Sequence, residues 1–325
     1  MLVDFSNCEY SDRHGMYGGQ AGDKDGIMYQ GERWIVKFPK STKGMTGDNL
    51  AGYTTSPLSE YLGSHIYEIL GYDVHKTKLG ERNNQIVVAC KDFCDNFEFL
   101  METRSIKNGA NKQILEKYGQ DLPESATGDS VNLDELLIHF QVNPIFLQFP
   151  NVEKRFWECA IIDILIDNND RNNGNWGLVK SITTGKSRLA PIYDNGNSFN
   201  NKISEEQIKY KLNLSTEQKI QFATGTRTSY SRNEHTLSSK KLLNIDNPNL
   251  KAAILTVVPN IKEHLPKILS FIDAIPQEFN GKTVISNERK QLYKELVDIR
   301  FEKILVPAFE KENTPPQINQ NNVSL

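Results

Sequence analysis

The apolar, β-prone stretch in Glu32-Arg33-Trp34-Ile35-Val36-Lys37-Phe38, ended by Pro39, predicts a strand inside a glycine-rich β segment over residues 1 to about 50. From Ser56 the pattern changes. Leu58, Tyr61, Leu62, Ile66, Ile69 and Leu70 recur at helical spacing, with Ser56 as N-cap, Pro57 at the first helical position and Gly71 as the stop. The run Gln85-Ile86-Val87-Val88-Ala89-Cys90 reads as a buried strand, after which Lys91-Asp92-Phe93 leads into mostly helical sequence. This order predicts two lobes: an N-terminal lobe at 1–93, a helical C-terminal lobe at 94–312, and a disordered Asn-, Gln- and Pro-rich tail at 313–325.

Within the second lobe, Val152, Phe156, Trp157, Ala160, Ile161, Ile164 and Leu165 form a helical stripe between Asn151 and Asn168. Two short strands follow, at 176–179 and 189–193, joined by the turn-like Thr183-Thr184-Gly185-Lys186. Residues 195–240 are polar and weakly periodic. Helical spacing returns at Leu250–Ile272, with a break expected at Pro259, and at Asn287–Leu305, with Ser286 as cap. The fold class expected is α+β, with antiparallel strands and one main helix in the small lobe and a nucleotide cleft between the lobes.

Composition narrows the function classes. The 325 residues carry 38 Lys plus Arg against 41 Asp plus Glu, a net charge of −3, so no global field favours nucleic acid or an anionic membrane. Cys8, Cys90, Cys94 and Cys159 are too scattered for a disulfide framework or a second zinc pair and read as reduced thiols. No signal-peptide-like apolar run and no 18-residue apolar stretch occurs. The expectation is a protein made in the cytoplasm with no integral membrane segment.

The densest chemistry lies in Ile166-Asp167-Asn168-Asn169-Asp170-Arg171-Asn172-Asn173-Gly174-Asn175-Trp176. Phosphoryl transfer needs a carboxylate near the acceptor hydroxyl and, a few residues on, an oxygen ligand for Mg²⁺. Asp170 and Asn175 have the D-x-x-x-x-N spacing of a protein-kinase catalytic loop, although Asn168-Asn169 replaces the usual His-Arg. Asp194, in Asp194-Asn195-Gly196, takes the place of the metal-binding aspartate of D-F-G. An Asn- and Asp-rich turn can also simply cap a helix. The ordered set of helix, loop, hairpin and Asp-x-Gly favours chemistry over that simpler reading. Lys37, at the end of its strand, is the candidate phosphate contact, and Glu60, early in the following helix, its partner, with Lys40 and Lys43 as competitors for the lysine role. Gly18, Gly19 and Gly22 are candidate phosphate-loop positions that do not spell the G-x-G-x-x-G motif, so a plain surface loop competes with that reading.

Trp34–Phe38, Ser59-Glu60 with Leu70-Gly71-Tyr72-Asp73-Val74, Asn169-Asp170-Arg171 through Asn175, and Ala190-Pro191-Ile192-Tyr193-Asp194 together make the chain resemble the HipA-like kinases. These are atypical bacterial serine/threonine kinases with a protein-kinase-like two-lobed fold. The resemblance implies ATP and Mg²⁺ as cofactors, Asp170 as catalytic residue, Asn175 and Asp194 as metal ligands, and Val88, Ala89 and Cys90 within an adenine-side hinge running to Phe93. It implies a protein substrate, autophosphorylation, and, through the small cell-translocating members of the family, an effector acting on a host protein without a cleavable signal peptide. Two departures count against other family properties. The glycine loop is reached by Gly15, without the extra segment of the longer toxins, which argues against an antitoxin partner; and Gly18 to Gln30 holds no Ser or Thr for loop phosphorylation. Residues 170–176 are also similar to the catalytic loop of type II phosphatidylinositol 4-kinases, which keeps a lipid-kinase reading open, and a catalytically inactive nucleotide-binding module is the third. Residues 195–240, with Arg227, Thr228, Ser229, Tyr230, Ser231 and Arg232 among them, are a candidate counterpart of an activation loop holding several acceptors, against which an ordinary polar loop competes.

Overall fold

Strand alternation sorts the first lobe's side chains onto two faces of one sheet. The computed structural model describes residues 2–17, 24–47, 49–126 and 128–314. Strands β1 (Val3–Asp4), β2 (Lys24–Tyr29), β3 (Glu32–Lys37), β4 (Thr77–Arg82) and β5 (Gln85–Lys91) run in the order β1-β4-β5-β3-β2, with helix α1 (Ser56–Ile69) between β3 and β4 in sequence. Trp34, Val36, Val87 and Ala89 join Phe5 and Ile27 in a small core on one face. On the other, Leu79, Val88 and Cys90 pack with Leu58, Leu62 and Ile66 of α1. Lys37 is the register partner of Val88, so it shares the α1 face. Its ammonium is thereby aimed at the helix.

Several expectations are corrected. The sheet is not wholly antiparallel, because β1 pairs with β4 in parallel. Ser56 is the first helical residue rather than the cap; Thr55 precedes it without a side-chain cap bond, and Ser56 Oγ lies 2.8 Å from Thr54 Oγ1. After β5 comes β6 (Glu98–Glu102), a strand where helix was expected, because it finds its antiparallel partner far downstream. Local periodicity carries no trace of such a pairing.

The second lobe continues with α2 (Thr103–Tyr118), β7 (Val131–Asn132), α3 (Leu133–Val142) and α4 (Val152–Ile166), then β8 (Gly177–Ser181) and β9 (Ser187–Leu189). The hairpin β8–β9 adds β6 in the order β6-β8-β9, and Ile192 beyond it bridges in parallel to Val74. Residues 195–240 are more structured than their polarity suggests: α5 (Glu205–Leu212), α6 (Thr216–Thr224), β10 (Arg227–Arg232) and β11 (His235–Ser238), with α7 (Ser239–Leu243) next. Thr228, Ser229, Tyr230 and Ser231 are buried in β10, which pairs with both β11 and β7. An activation loop offering acceptors is therefore the wrong description of 227–232.

Helix α8 (Pro248–Ala274) passes through Pro259 and Pro266 without the expected break. Its buried stripe of Ala253, Ile254, Val257, Val258 and Ile261 lies in the same core as Ile161, Ile164 and Leu165 of α4, and this burial outweighs the backbone hydrogen bonds that proline removes. A hairpin of β12 (Glu278–Phe279) and β13 (Lys282–Thr283) leads to α9 (Asn287–Arg300), capped by Ser286 Oγ accepting from Arg289 N–H. A π turn at Phe301–Leu305 and α10 (Val306–Asn313) follow, so helix reaches into the first residue of the expected tail; 315–325 lie outside the described residues. No helix among the described residues is long and apolar enough to cross a membrane.

Candidate active site

The end of β3 and the second turn of α1 meet in an ion pair: Lys37 Nζ lies 2.8 Å from Glu60 Oε2 and 2.9 Å from Asp194 Oδ1. The three groups come from two lobes and span 157 positions of sequence between Lys37 and Asp194. Burial alone disfavours the Lys37 ammonium, but Asp194 and then Glu60 outweigh it and hold its pKa well above the ordinary value. Lys37 in turn is the main cause that keeps the Asp194 carboxyl below its usual range. For Glu60, burial pushes the pKa up, and Lys37 with His75 overcomes it, leaving an ionised carboxylate.

Glu60 is only 1% exposed and both of its oxygens are committed. Oε2 takes Lys37; Oε1 accepts from the backbone N–H of Asn195 at 2.9 Å and lies 2.9 Å from His75 Nε2. Asp194 has φ 58°, a left-handed conformation that aspartate tolerates better than most residues, at the junction that directs its carboxylate to Lys37. Gly63 permits the approach of α1 to this turn, since a Cβ there would stand 2.8 Å from Asn195 Cβ. Glu60, His75 and Cys90 bring donor atoms within 4.8 Å of one another. Glu60 and His75 are already engaged with each other and burial pushes the Cys90 thiol up, so this trio forms the wall behind the ion pair.

The loop after α4 is organised by a carboxylate that sequence reading did not single out. Asp163 is buried in α4; its Oδ1 accepts from Tyr67 O–H at 2.8 Å, Asn168 Nδ2 at 3.1 Å and Arg171 Nη2 at 3.0 Å, and its Oδ2 from Arg171 Nε at 2.9 Å. Arg171 then donates from Nη1 to the Tyr193 carbonyl at 2.6 Å and from Nη2 to Asn195 Oδ1 at 2.5 Å. One guanidinium thus joins the Asp170 loop to the Asp194 turn. Because Arg171 is 2% exposed, Asp163→Ala leaves a buried cation without its counter-charge, and the expected loss is about 3–5 kcal/mol of stability in urea unfolding, with a smaller loss for Asp163→Asn.

Asp170 opens to the cleft at the mouth of this loop. Its Oδ1 accepts from Asn172 Nδ2 at 2.9 Å, and the protein crowding around it, with Asp194 adding like charge, raises its pKa above the usual aspartate value. Asn175 donates through Nδ2 to the Asp170 carbonyl, which leaves Oδ1 as its available ligand atom. Lys37, Glu60, Asp170 and Asp194 line one cavity of about 380 Å³, to which Lys24, Lys40 and Lys202 add positive charge. Asn175 stands behind Asp170 and lines a separate small cavity with Arg171 and Trp176. Carboxylate and amide oxygens suit a hard cation, and the lysines suit a polyphosphate, so the residues fit Mg²⁺ and ATP.

Val88, Ala89 and Cys90 sit within the paired length of β5 and are buried, with Ala89 on the face away from Lys37. The chain leaves this sheet after Lys91, and residues 92–97 carry it to β6. Gly18, Gly19 and Gly22 lie outside the described residues. Lys40, a competitor of Lys37 in the sequence, lines the same cavity, while Lys24, Lys202, His75 and Asp163 carried no sequence signal of their own. Their places follow from strand register and loop packing. All four cysteines are free thiols.

No family model matches the chain. Over 194 residues it is 36% identical to the serine/threonine-protein kinase CtkA of Helicobacter pylori (strain J99 / ATCC 700824), a match that covers 60% of this chain and 55% of the relative. The matched stretch thus spans about half the length of that relative. The crystal structure of an H. pylori proinflammatory kinase CtkA superposes with a TM-score of 0.80 at 27% identity, covering 96% of this chain and 98% of the other. HipA of Shewanella oneidensis MR-1, in a toxin–antitoxin complex with HipB and operator DNA, gives 0.53 at 12% identity over 93% and 69% of the two chains, a likeness of fold alone. The resemblance to HipA-like kinases is upheld, and the architecture is their α+β fold, a curled N-terminal sheet with a helical remainder.

Proposed function

We propose that the chain is an ATP- and Mg²⁺-dependent kinase that transfers the γ-phosphate to serine or threonine hydroxyls of a protein, including its own. The observation that carries this reading is the Lys37 ammonium held between Glu60 and Asp194 in the cavity that Asp170 also faces. A lysine fixed by a helix carboxylate can orient the α and β phosphates, and Asp170 can accept the proton of the attacking hydroxyl. Asp194 would hold Mg²⁺ on the cavity, with Asn175 joining it once its Oδ1 turns out from behind Asp170; the ion when bound would neutralise charge on the phosphates. The likeness to a protein named as a serine/threonine kinase supports a protein acceptor over a lipid. Self-phosphorylation at Thr228, Ser229 or Ser231 is not part of the proposal, because those hydroxyls are buried.

Incubation with γ-labelled ATP and Mg²⁺, alongside mixed proteins and phosphoinositide vesicles, tests this. Label on Ser or Thr of protein is the expected result. Label confined to lipid would establish the lipid-kinase reading instead, and ATP binding without transfer to any acceptor would make the chain a nucleotide-binding module.

A further inference from the structure

His75 belongs to neither the catalytic loop nor the lysine strand, yet it touches the parts of both that must be held in register. It lies just before β4, is 5% exposed, and its Nε2 is 2.9 Å from Glu60 Oε1. An ionised carboxylate only accepts, so Nε2 carries the hydrogen in this contact. Ser64 Oγ lies 3.1 Å from the same nitrogen and accepts from Asn195 Nδ2 at 3.0 Å. The His75 backbone N–H donates to the Ile192 carbonyl at 3.0 Å, and Ile192 N–H to the Asp73 carbonyl at 2.9 Å, which seats the strand end carrying Asp194 against residues 73–75.

We infer that His75 is a positioning residue for nucleotide binding: it holds Glu60 Oε1 so that Oε2 is presented to Lys37, while its backbone fixes the approach of Asp194. This rests on the kinase reading above. A carboxylate between two donors can rotate. With His75 and the Asn195 N–H gripping one oxygen, the other has a single direction left, and Lys37 is set by it. Deletion of the imidazole leaves Oε1 with the Asn195 N–H alone, so Glu60 gains freedom and the ammonium drifts towards Asp194.

Steady-state kinetics of His75→Ala and His75→Gln, each against ATP and against a protein acceptor, read this out, together with amine acylation of Lys37 in the nucleotide-free protein followed by mass spectrometry. His75→Ala is expected to raise KM for ATP about tenfold with KM for the acceptor unchanged, since small misplacements of a positioning group cost on the order of 10–100-fold. Lys37 acylation should rise with it. His75→Gln, whose amide can donate to Oε1, should return KM for ATP most of the way, and in a Glu60→Ala background His75→Ala should add nothing. The inference is overturned if His75→Ala leaves KM for ATP and Lys37 acylation at wild-type values. It is equally overturned if apparent kcat falls while both KM values hold, the pattern of lost folded enzyme, or if the effect adds in full to that of Glu60→Ala. Should the wild-type protein transfer no phosphate, the kinase reading fails, and Lys37 acylation in the two variants still decides whether His75 sets the lysine through Glu60.

Discussion

Asp170→Asn is expected to lower kcat by about 10³ while leaving the affinity for Mg²⁺-ATP within about twofold, the range general-base removal usually spans. Asp170 lines the same cavity as Lys37, and one of its oxygens accepts from Asn172. It has no ion-pair partner among the described residues, so asparagine of the same shape leaves the fold intact, and its pKa, raised chiefly by burial, makes it a better proton acceptor than an ordinary surface aspartate. The contact with the hydroxyl strengthens only as the proton moves, which is why turnover falls and binding does not. Isothermal titration with Mg²⁺-ATP beside initial rates separates the two. A variant that keeps wild-type turnover would remove Asp170 from the mechanism.

Asp194→Asn should depress both quantities, with the affinity for Mg²⁺-ATP falling at least tenfold and kcat/KM by about 10³, and excess Mg²⁺ restoring little. Asp194 is the residue where the proposed metal contact and the Lys37 ion pair coincide. Its neutralisation removes the charge that would hold Mg²⁺ and also one of the two anions that fix the ammonium, so Lys37 is left to Glu60 alone. Wild-type affinity in this variant, with turnover lost, would mean that the two aspartates have exchanged roles. Lys37→Ala is a less clean probe than a strand-end lysine suggests. It strips the counter-charge from Glu60, which is 1% exposed, and so carries a stability cost that a loss of activity would then report as well. Thermal melting of that variant belongs beside any rate.

Local chemistry made several parts of this protein legible along the chain. The apolar run at Trp34–Val36, stopped by Pro39, marked β3, the helical stripe from Leu58 to Leu70 marked α1, and the Asn- and Asp-rich run after a buried helix marked a polar loop. These signals are local because side-chain direction repeats with the backbone. Position along the elements and likeness to kinase motifs also proposed Lys37, Glu60, Asp170 and Asp194 as one set. Which groups hold that set in place emerges only from the packed fold. Asp163 looks like one more polar break in an apolar helix until Arg171 folds back on it, and His75 is a lone histidine until β4 and Ile192 bring it to Glu60. The same holds for β6 and β10, whose partners are distant in sequence and whose burial is set by them. Asn175, legible as a motif position, turned out to stand behind Asp170 rather than on the cavity wall. A sequence records which side chains are available for pairing, whereas the pairing of buried charges depends on distances between segments tens to hundreds of residues apart, and those exist only once the two lobes have packed.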